Sequence, residues 1–452
     1  MFKNKKTIIG LFLWLGIIFW CFFIHLDYHF DSDEGVILSG AWNLINNQHL
    51  YSDFFEFIPP GSFYLVFLTW KAFGLSFWSA KIISILLLIL SAAGIYLIAQ
   101  RISKNKWNIL APIFFCLATS GLPIINHNFH SLPPAIWAIY FLLLGLDNKK
   151  IKYFILSGIL TGTTILFLQT KGLALGCAIF LFLLIRLRKQ FKFILLYSAA
   201  ALLPLLTFLA WPIKTIMANL LLFPFDNYRQ INQVPIDTLF TSTIILILTG
   251  YFLRKEKNDK ILLLLIIQFF LLLTTIPLPD YCHLLIAGFP IMALTGIIIE
   301  NISNRKNSNY SKFTYYYIAT ITTLFILYPA IYFLSFDFKP FFQSNREFFI
   351  FIEKNCPGKY IYAGPFAPNI YFESQKLNAT PYPWLITNHN TPEQFQAAQQ
   401  YLINNKPSCA ILTYPKSLKR FKHSQDNPVE NYIRENYHLF YTEQSLYIYK
   451  IK

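Results

Sequence analysis

The chain has 452 residues, of which 55% are hydrophobic, 18% aromatic and 13% charged. Soluble domains carry about a quarter charged residues, so a soluble fold is excluded, and apolar runs long enough to cross a bilayer recur along the sequence. The net charge of +16 then reads as basic loops holding a membrane protein in place, and not as a nucleic-acid surface.

In chain order, the first apolar run follows "MFKNKK". No small-residue cleavage site follows it, so it predicts a retained span, not a signal peptide. Eleven spans are predicted, near 7–26, 78–100, 107–123, 132–146, 153–169, 172–186, 193–213, 238–253, 261–276, 283–299 and 314–335. The N-terminus and alternate loops carry twenty Lys and Arg, whereas the opposite loops carry four, Lys71, Lys171, Lys214 and Arg229. This asymmetry predicts a cytoplasmic N-terminus, with everything beyond about residue 336 outside. The apolar stretch Ile58–Gly74 breaks that pattern if it crosses. Its paired prolines and Lys71 suit an interfacial helix, so residues 31–74 are predicted to form one extracytoplasmic loop.

That loop opens on "DSDEGVILSG", with Asp31, Asp33 and Glu34 just beyond the first span. Asp31 three residues before Glu34 fits a capping box, and carboxylates suit any helix N-terminus. Other polar groups on the same predicted membrane face support a second reading, a reaction site. Asp53 and Glu56 follow in the loop, His127 and His130 lie in "NHNFHSLPP", Lys171 interrupts "FLQTKGLAL", and Asp280 and His283 lie in "PLPDYCHLL". The predicted cytoplasmic loops contain no histidine. Ionisable groups gathered at one face of the bilayer are candidate site residues, although loop histidines are often solvated and span-end lysines often snorkel.

The segment 337–452 is polar, with strand-like runs "KYIYAG", "CAILTY" and "SLYIYKI". Between them "TPEQFQAAQQYLINN" predicts a helix with Thr391 as N-cap. A small extracytoplasmic α/β domain is expected at 337–452, after a transmembrane domain at 1–336. Within it "PYPWLITNHN" offers Trp384, with the look of an exposed ring, and His389. Both a sugar-stacking role and a core position suit Trp384. Cys356 and Cys409 share this segment and can pair if it lies outside the cell, while Cys21, Cys116 and Cys177 fall inside apolar runs as packed thiols.

The first loop resembles that of the GT-C glycosyltransferases, in particular the protein O-mannosyltransferases and lipid A aminoarabinose transferases. The resemblance rests on Asp33-Glu34, Tyr51, Pro59-Pro60 and Phe73-Gly74 in that order, on Gly158, Gly162 and Lys171 in a later span, and on "DYCHLLIAGFPIMALTG". It covers roughly 27–300. It implies an all-α polytopic GT-C fold with a C-terminal extracytoplasmic α/β domain, in a bacterial inner membrane. It implies inverting transfer of a hexosyl or pentosyl group from a polyprenyl-phosphate-linked donor to an extracytoplasmic lipid, glycan or protein. Asp33 is then the expected base, Glu34 its orienting partner, and Lys171 and His283 the donor-phosphate contacts. Glu56, His127, His130 and Asp280 are expected to touch substrate or metal. Glu56 matches a metal-associated glutamate of the aminoarabinose branch, so a divalent metal rests on the resemblance alone. Phe57 stands where that branch has a phosphate-binding lysine, which moves the phosphate role to Lys171 and His283. A lipid or sugar transporter is the alternative, but transporters usually gather charge near the bilayer midplane. A non-catalytic scaffold of the cell envelope is a third reading.

Overall fold

The computed structural model describes residues 5–26, 33–120, 122–228, 258–276, 281–303, 346–414, 421–443 and 445–452, with isolated positions at 243, 246–247, 249–250, 253 and 418. The spans expected near 238–253 and 314–335 lie largely or wholly outside these residues. The first part of the chain is helical: α1 (Lys5–His25), α2 (Asp33–Ile45), α3 (Gly61–Phe73), α4 (Phe77–Ile102), α5 (Leu110–Thr119), the single turn α6 (His127–His130), α7 (Leu132–Asn148), α8 (Ile151–Phe167), α9 (Gln169–Leu187), α10 (Phe191–Leu202), α11 (Ile213–Met217), α12 (Asp259–Leu273), α13 (Tyr281–Ala287) and α14 (Phe289–Ser303). Among the described residues, three helical stretches are long and apolar enough to cross a bilayer: Phe77–Ile102, His127–Asn148 and Gln169–Ala210. Shorter apolar helices occupy Gly10–His25, Lys106–Thr119, Ile151–Phe167 and Phe289–Asn301.

The chain forms two compact units, Met1–Asp27 with Lys81–Thr207 and Val234–Phe338, and Tyr28–Ala80 with Phe208–Gln233 and Lys339–Lys452. The first unit is a helix bundle whose close approaches are set by small residues. A Cβ on Gly158 would lie 2.3 Å from the Tyr197 carbonyl oxygen, and one on Gly162 2.2 Å from that of Ala201. Phe154 stacks on Phe193 at 4.4 Å one turn earlier. Contacts that advance together in steps of four make α8 and α10 parallel neighbours, the small-xxx-small geometry of membrane helices. The 42-residue stretch Gln169–Ala210 therefore cannot run straight. It turns back at a 3-10 turn, Arg188–Gln190, where the sequence carries Arg186, Arg188, Lys189 and Lys192.

The second unit joins the loop at 33–74 to the C-terminal segment. The latter contains α15 (Arg346–Asn355), β1 (Tyr360–Pro365), α16 (Asn369–Glu373), β2 (Leu377–Asn378), α17 (Pro392–Asn405), β3 (Cys409–Thr413), α18 (Pro428–Asn436), β4 (Tyr437–Glu443) and β5 (Leu446–Ile451). The sheet order is β2-β1-β3-β5-β4, parallel among the first three strands and antiparallel thereafter. Thr391 Oγ1 accepts from Gln394 N at 3.3 Å, and Gln394 Oε1 accepts from Thr391 N at 3.1 Å, a complete capping box that starts α17. Cys356 and Cys409 form a disulfide across 53 positions. In the chain-entropy account, closing a loop of that length stabilises by about 4 kcal/mol.

α3 has 13 residues, roughly 20 Å of helix against about 30 Å of hydrocarbon. Within its unit it packs on the C-terminal segment, with Trp70 stacked on Phe372 at 4.7 Å. Trp384 is 4% exposed, against Phe55, Phe57, Phe366 and His389. Of the two positions open to Trp384, an exposed sugar-stacking ring and a core ring, it takes the core one. The prolines at 381 and 383 look like loop markers, but tertiary packing buries the ring among Phe55, Phe57, Phe366 and His389.

Candidate active site

In the second unit the site builds on α2. Asp33 is the exposed first residue of the helix, and Glu34 is fully buried. Asp31 lies outside the described residues. The start of α2 is fixed by backbone contact: a Cβ on Gly35 would sit 2.6 Å from Asn369 N, at the first turn of α16. One turn further, a Cβ on Gly40 would meet the Phe63 ring of α3 at 2.4 Å. Trp42 Nε1 donates to the Lys376 carbonyl at 2.9 Å. Gly35 and Trp42 thus hold α2 on the C-terminal segment, and Gly40 holds it on α3.

After α2 the chain folds tightly. Tyr51 takes a left-handed conformation, φ 65°, and its hydroxyl donates to the Ile58 carbonyl at 2.7 Å. Burial raises the Tyr51 pKa well above the usual phenol value, with Glu56 and Tyr64 adding to the shift. Asp53 is a surface group whose pKa the His49 backbone N–H holds down, at 2.7 Å. Phe55 N donates to the Pro381 carbonyl at 2.8 Å, and Phe57 packs on His389 with ring centroids 5.8 Å apart.

Glu56 lies between these two phenylalanines. It is fully buried, and neither carboxyl oxygen has a hydrogen-bond partner among the described residues. Burial pushes its pKa well above the usual carboxylate range. An orphaned buried carboxyl is what a metal ligand looks like before its ion arrives. The donor set does not complete such a site, however: no three His, Cys, Asp or Glu side chains come together for a metal among the described residues. Among the described residues, the metal implied by the resemblance therefore lacks a complete donor set.

Glu56 couples the stability of the fold to pH. A carboxyl with a raised folded-state pKa stabilises fully below its unfolded value of 4.5, and that contribution is lost as pH rises through the folded value. Glu56→Gln keeps the shape and removes the titration. The variant is expected to melt higher than wild type at pH 8 by about 1–3 kcal/mol of unfolding free energy, with the gap closing toward pH 5. Thermal melts across that pH range check this. A variant less stable at every pH would show that the carboxylate is held by a charged partner.

The first unit carries the other candidate groups. Asn126 caps α6 by accepting from Asn128 N at 2.8 Å, which presents His127 and His130 on one turn. His130 Nε2 meets Ser84 Oγ of α4 at 2.9 Å. His127 is within electrostatic range of both His130 and His283. The structure therefore brings together three histidines from "NHNFHSLPP" and "PLPDYCHLL", two stretches that the sequence separates by 150 residues or more. Lys171 stands in the first turn of α9, just past the break at Leu168. It is buried, with Nζ 3.5 Å from the Leu271 carbonyl at the end of α12. The turn is tight, since a Cβ on Gly172 would lie 2.5 Å from Ile165 N. Asp280 lies outside the described residues.

Sequence reasoning passed over Lys81 and His25. Lys81 is fully buried near the start of α4, within electrostatic range of the buried His25 at the end of α1. The signal that singled out Lys171, a lysine at the outer end of an apolar run, is equally present in "FWSAKIIS".

Residues 58–211, about a third of the chain, match the family model described as dolichyl-phosphate-mannose-protein mannosyltransferase. No curated protein matches the chain in sequence. Among solved structures, it is similar to ArnT from Cupriavidus metallidurans bound to undecaprenyl phosphate, with TM-score 0.63 and 12% identity, over 99% of this chain and 98% of that one. It is also similar to the archaeal oligosaccharyltransferase AglB from Archaeoglobus fulgidus, in complex with an inhibitory peptide and a dolichol-phosphate. There the TM-score is 0.56 and the identity 12%, over 90% of this chain and 70% of that one.

Proposed function

We propose, from the premise that this chain is a membrane protein of the GT-C glycosyltransferase superfamily, that it moves a sugar from a polyprenyl-phosphate-linked donor to an acceptor on the outer face of the membrane. The observation that carries the reading is the Asp33-Glu34 pair held at the start of α2, in a fold shared over nearly its whole length with a structure that holds undecaprenyl phosphate.

The chemistry follows from the residue types. A polyprenyl phosphate is a good leaving group and needs charge stabilisation more than a strong acid. Lys171 and His283 supply it, with His127 and His130 beside His283. An acceptor hydroxyl is a weak nucleophile, and a carboxylate that takes its proton during attack makes it a better one. Asp33, exposed at the helix start, is the base, and the buried Glu34 orients it. The acceptor oxygen bonds to the anomeric carbon as the bond to phosphate oxygen breaks. The electron pair leaves with the phosphate, the proton passes to Asp33, and the centre inverts.

In this reading the chain crosses the bacterial inner membrane eleven times with its N-terminus inside. Residues 31–74 and 337–452 face outward, where a Cys356–Cys409 disulfide is at home. The test is reconstitution with a panel of polyprenyl-phosphate sugars. A matching donor should raise the melting temperature with occupancy and, given its acceptor, release polyprenyl phosphate. No stabilisation and no release with any member would sink the reading.

A further inference from the structure

The bundle contains two thiols that neither the proposed reaction nor the Cys356–Cys409 bond uses. Cys21 Sγ on α1 lies 3.6 Å from Cys116 Sγ on α5. Both side chains are almost wholly buried, 1% and 2% exposed. A disulfide needs about 2.05 Å between the sulfurs, so the pair must close by about 1.5 Å, within reach of small side-chain rotations. A neighbouring contact holds the same two helices in register: Trp20 Nε1 donates to Ser120 Oγ at 3.0 Å.

On α1, Leu11, Phe12, Leu15, Phe19 and Phe23 are each about half exposed or more, so among the described residues the helix is held by one face only. Cys21 is four residues from the end of α1, and Cys116 three from the end of α5. On the orientation that the basic residues assign, both ends face outward, the compartment in which disulfides persist.

We infer that Cys21 and Cys116 form a second disulfide, which staples the outer end of α1 to α5 and fixes the point from which the chain departs toward Asp33. The bond forms by thiol–disulfide exchange with an extracytoplasmic disulfide donor, while the helices are still accessible. The two thiols lose two protons and two electrons, one sulfur–sulfur bond forms, and the donor disulfide is reduced to two thiols. This inference does not depend on the proposed reaction.

Thiol counting on the full chain tests it. Membranes are solubilised in denaturant with an alkylating trap and no reductant, and the protein is purified and mapped by mass spectrometry. Of the six cysteines, only Cys177 and Cys282 should carry the trap, and a cross-linked peptide pair should contain Cys21 and Cys116. After reduction all six should be alkylated. Cys21→Ser should add one trapped thiol, at Cys116, and leave the Cys356–Cys409 pair intact. Alkylated Cys21 and Cys116 in the unreduced wild type would overturn the inference, whatever the state of the other pair.

Discussion

Asp33→Asn is expected to lower turnover by about a hundredfold or more, the usual contribution of a positioned general base, with the fold intact. Asparagine keeps the size of the side chain and its capacity at a helix start, so the stability change should stay within about 1 kcal/mol. Geometry separates this residue from its neighbour. Asp33 is exposed at the first turn of α2, where an acceptor hydroxyl can reach it, whereas Glu34 is fully buried in the same turn. Donor binding in the variant should be unchanged, because the proton is taken only during attack. Single-turnover transfer from a bound donor, measured beside a thermal melt, checks both halves. Turnover within threefold of wild type would leave Asp33 as nothing more than an acidic residue in the first turn of a helix.

The second large effect is expected at Lys171. Lys171→Met should weaken binding of a polyprenyl-phosphate donor by about tenfold to a hundredfold, the worth of one charge-assisted hydrogen bond to phosphate. The site is built with little slack. The lysine sits in the first turn of α9, beside the close approach of Gly172 to Ile165, with Nζ directed to the end of α12. Lys171→Arg is therefore not expected to restore affinity, since a planar fork differs in shape and reach from an ammonium. His283→Ala should weaken donor binding less, because His127 and His130 lie in the same cluster. Binding isotherms with the bare polyprenyl phosphate, and with the matching uncharged polyprenol as control, measure this. If neither variant changes donor affinity, Lys171 and His283 do not contact the carrier phosphate.

Much of the architecture is legible in local sequence because the signals are local. Apolar run length marks α4 and α7. β1, β3 and β5 fall on the three strand-like runs, and α17 begins at its Thr391 cap. β4 escapes detection because it is a mostly exposed edge strand. It takes its conformation from pairing with β5 more than from a buried face.

The candidate site divides in the same way. The residue types and their order, Asp33-Glu34 after the first span and Lys171 between two apolar runs, stand in the sequence itself. Their settings do not. That Glu56 is an orphaned carboxyl, that Trp384 is a core ring, and that His127 and His283 are neighbours all depend on contacts between distant segments. Trp42 reaches the Lys376 carbonyl across 334 positions, and Phe55 reaches that of Pro381. Periodicity and propensity report what one segment prefers alone. Burial, and with it the charge state of a group such as Glu56, is set by whatever the rest of the chain places against it, and only the tertiary structure decides that.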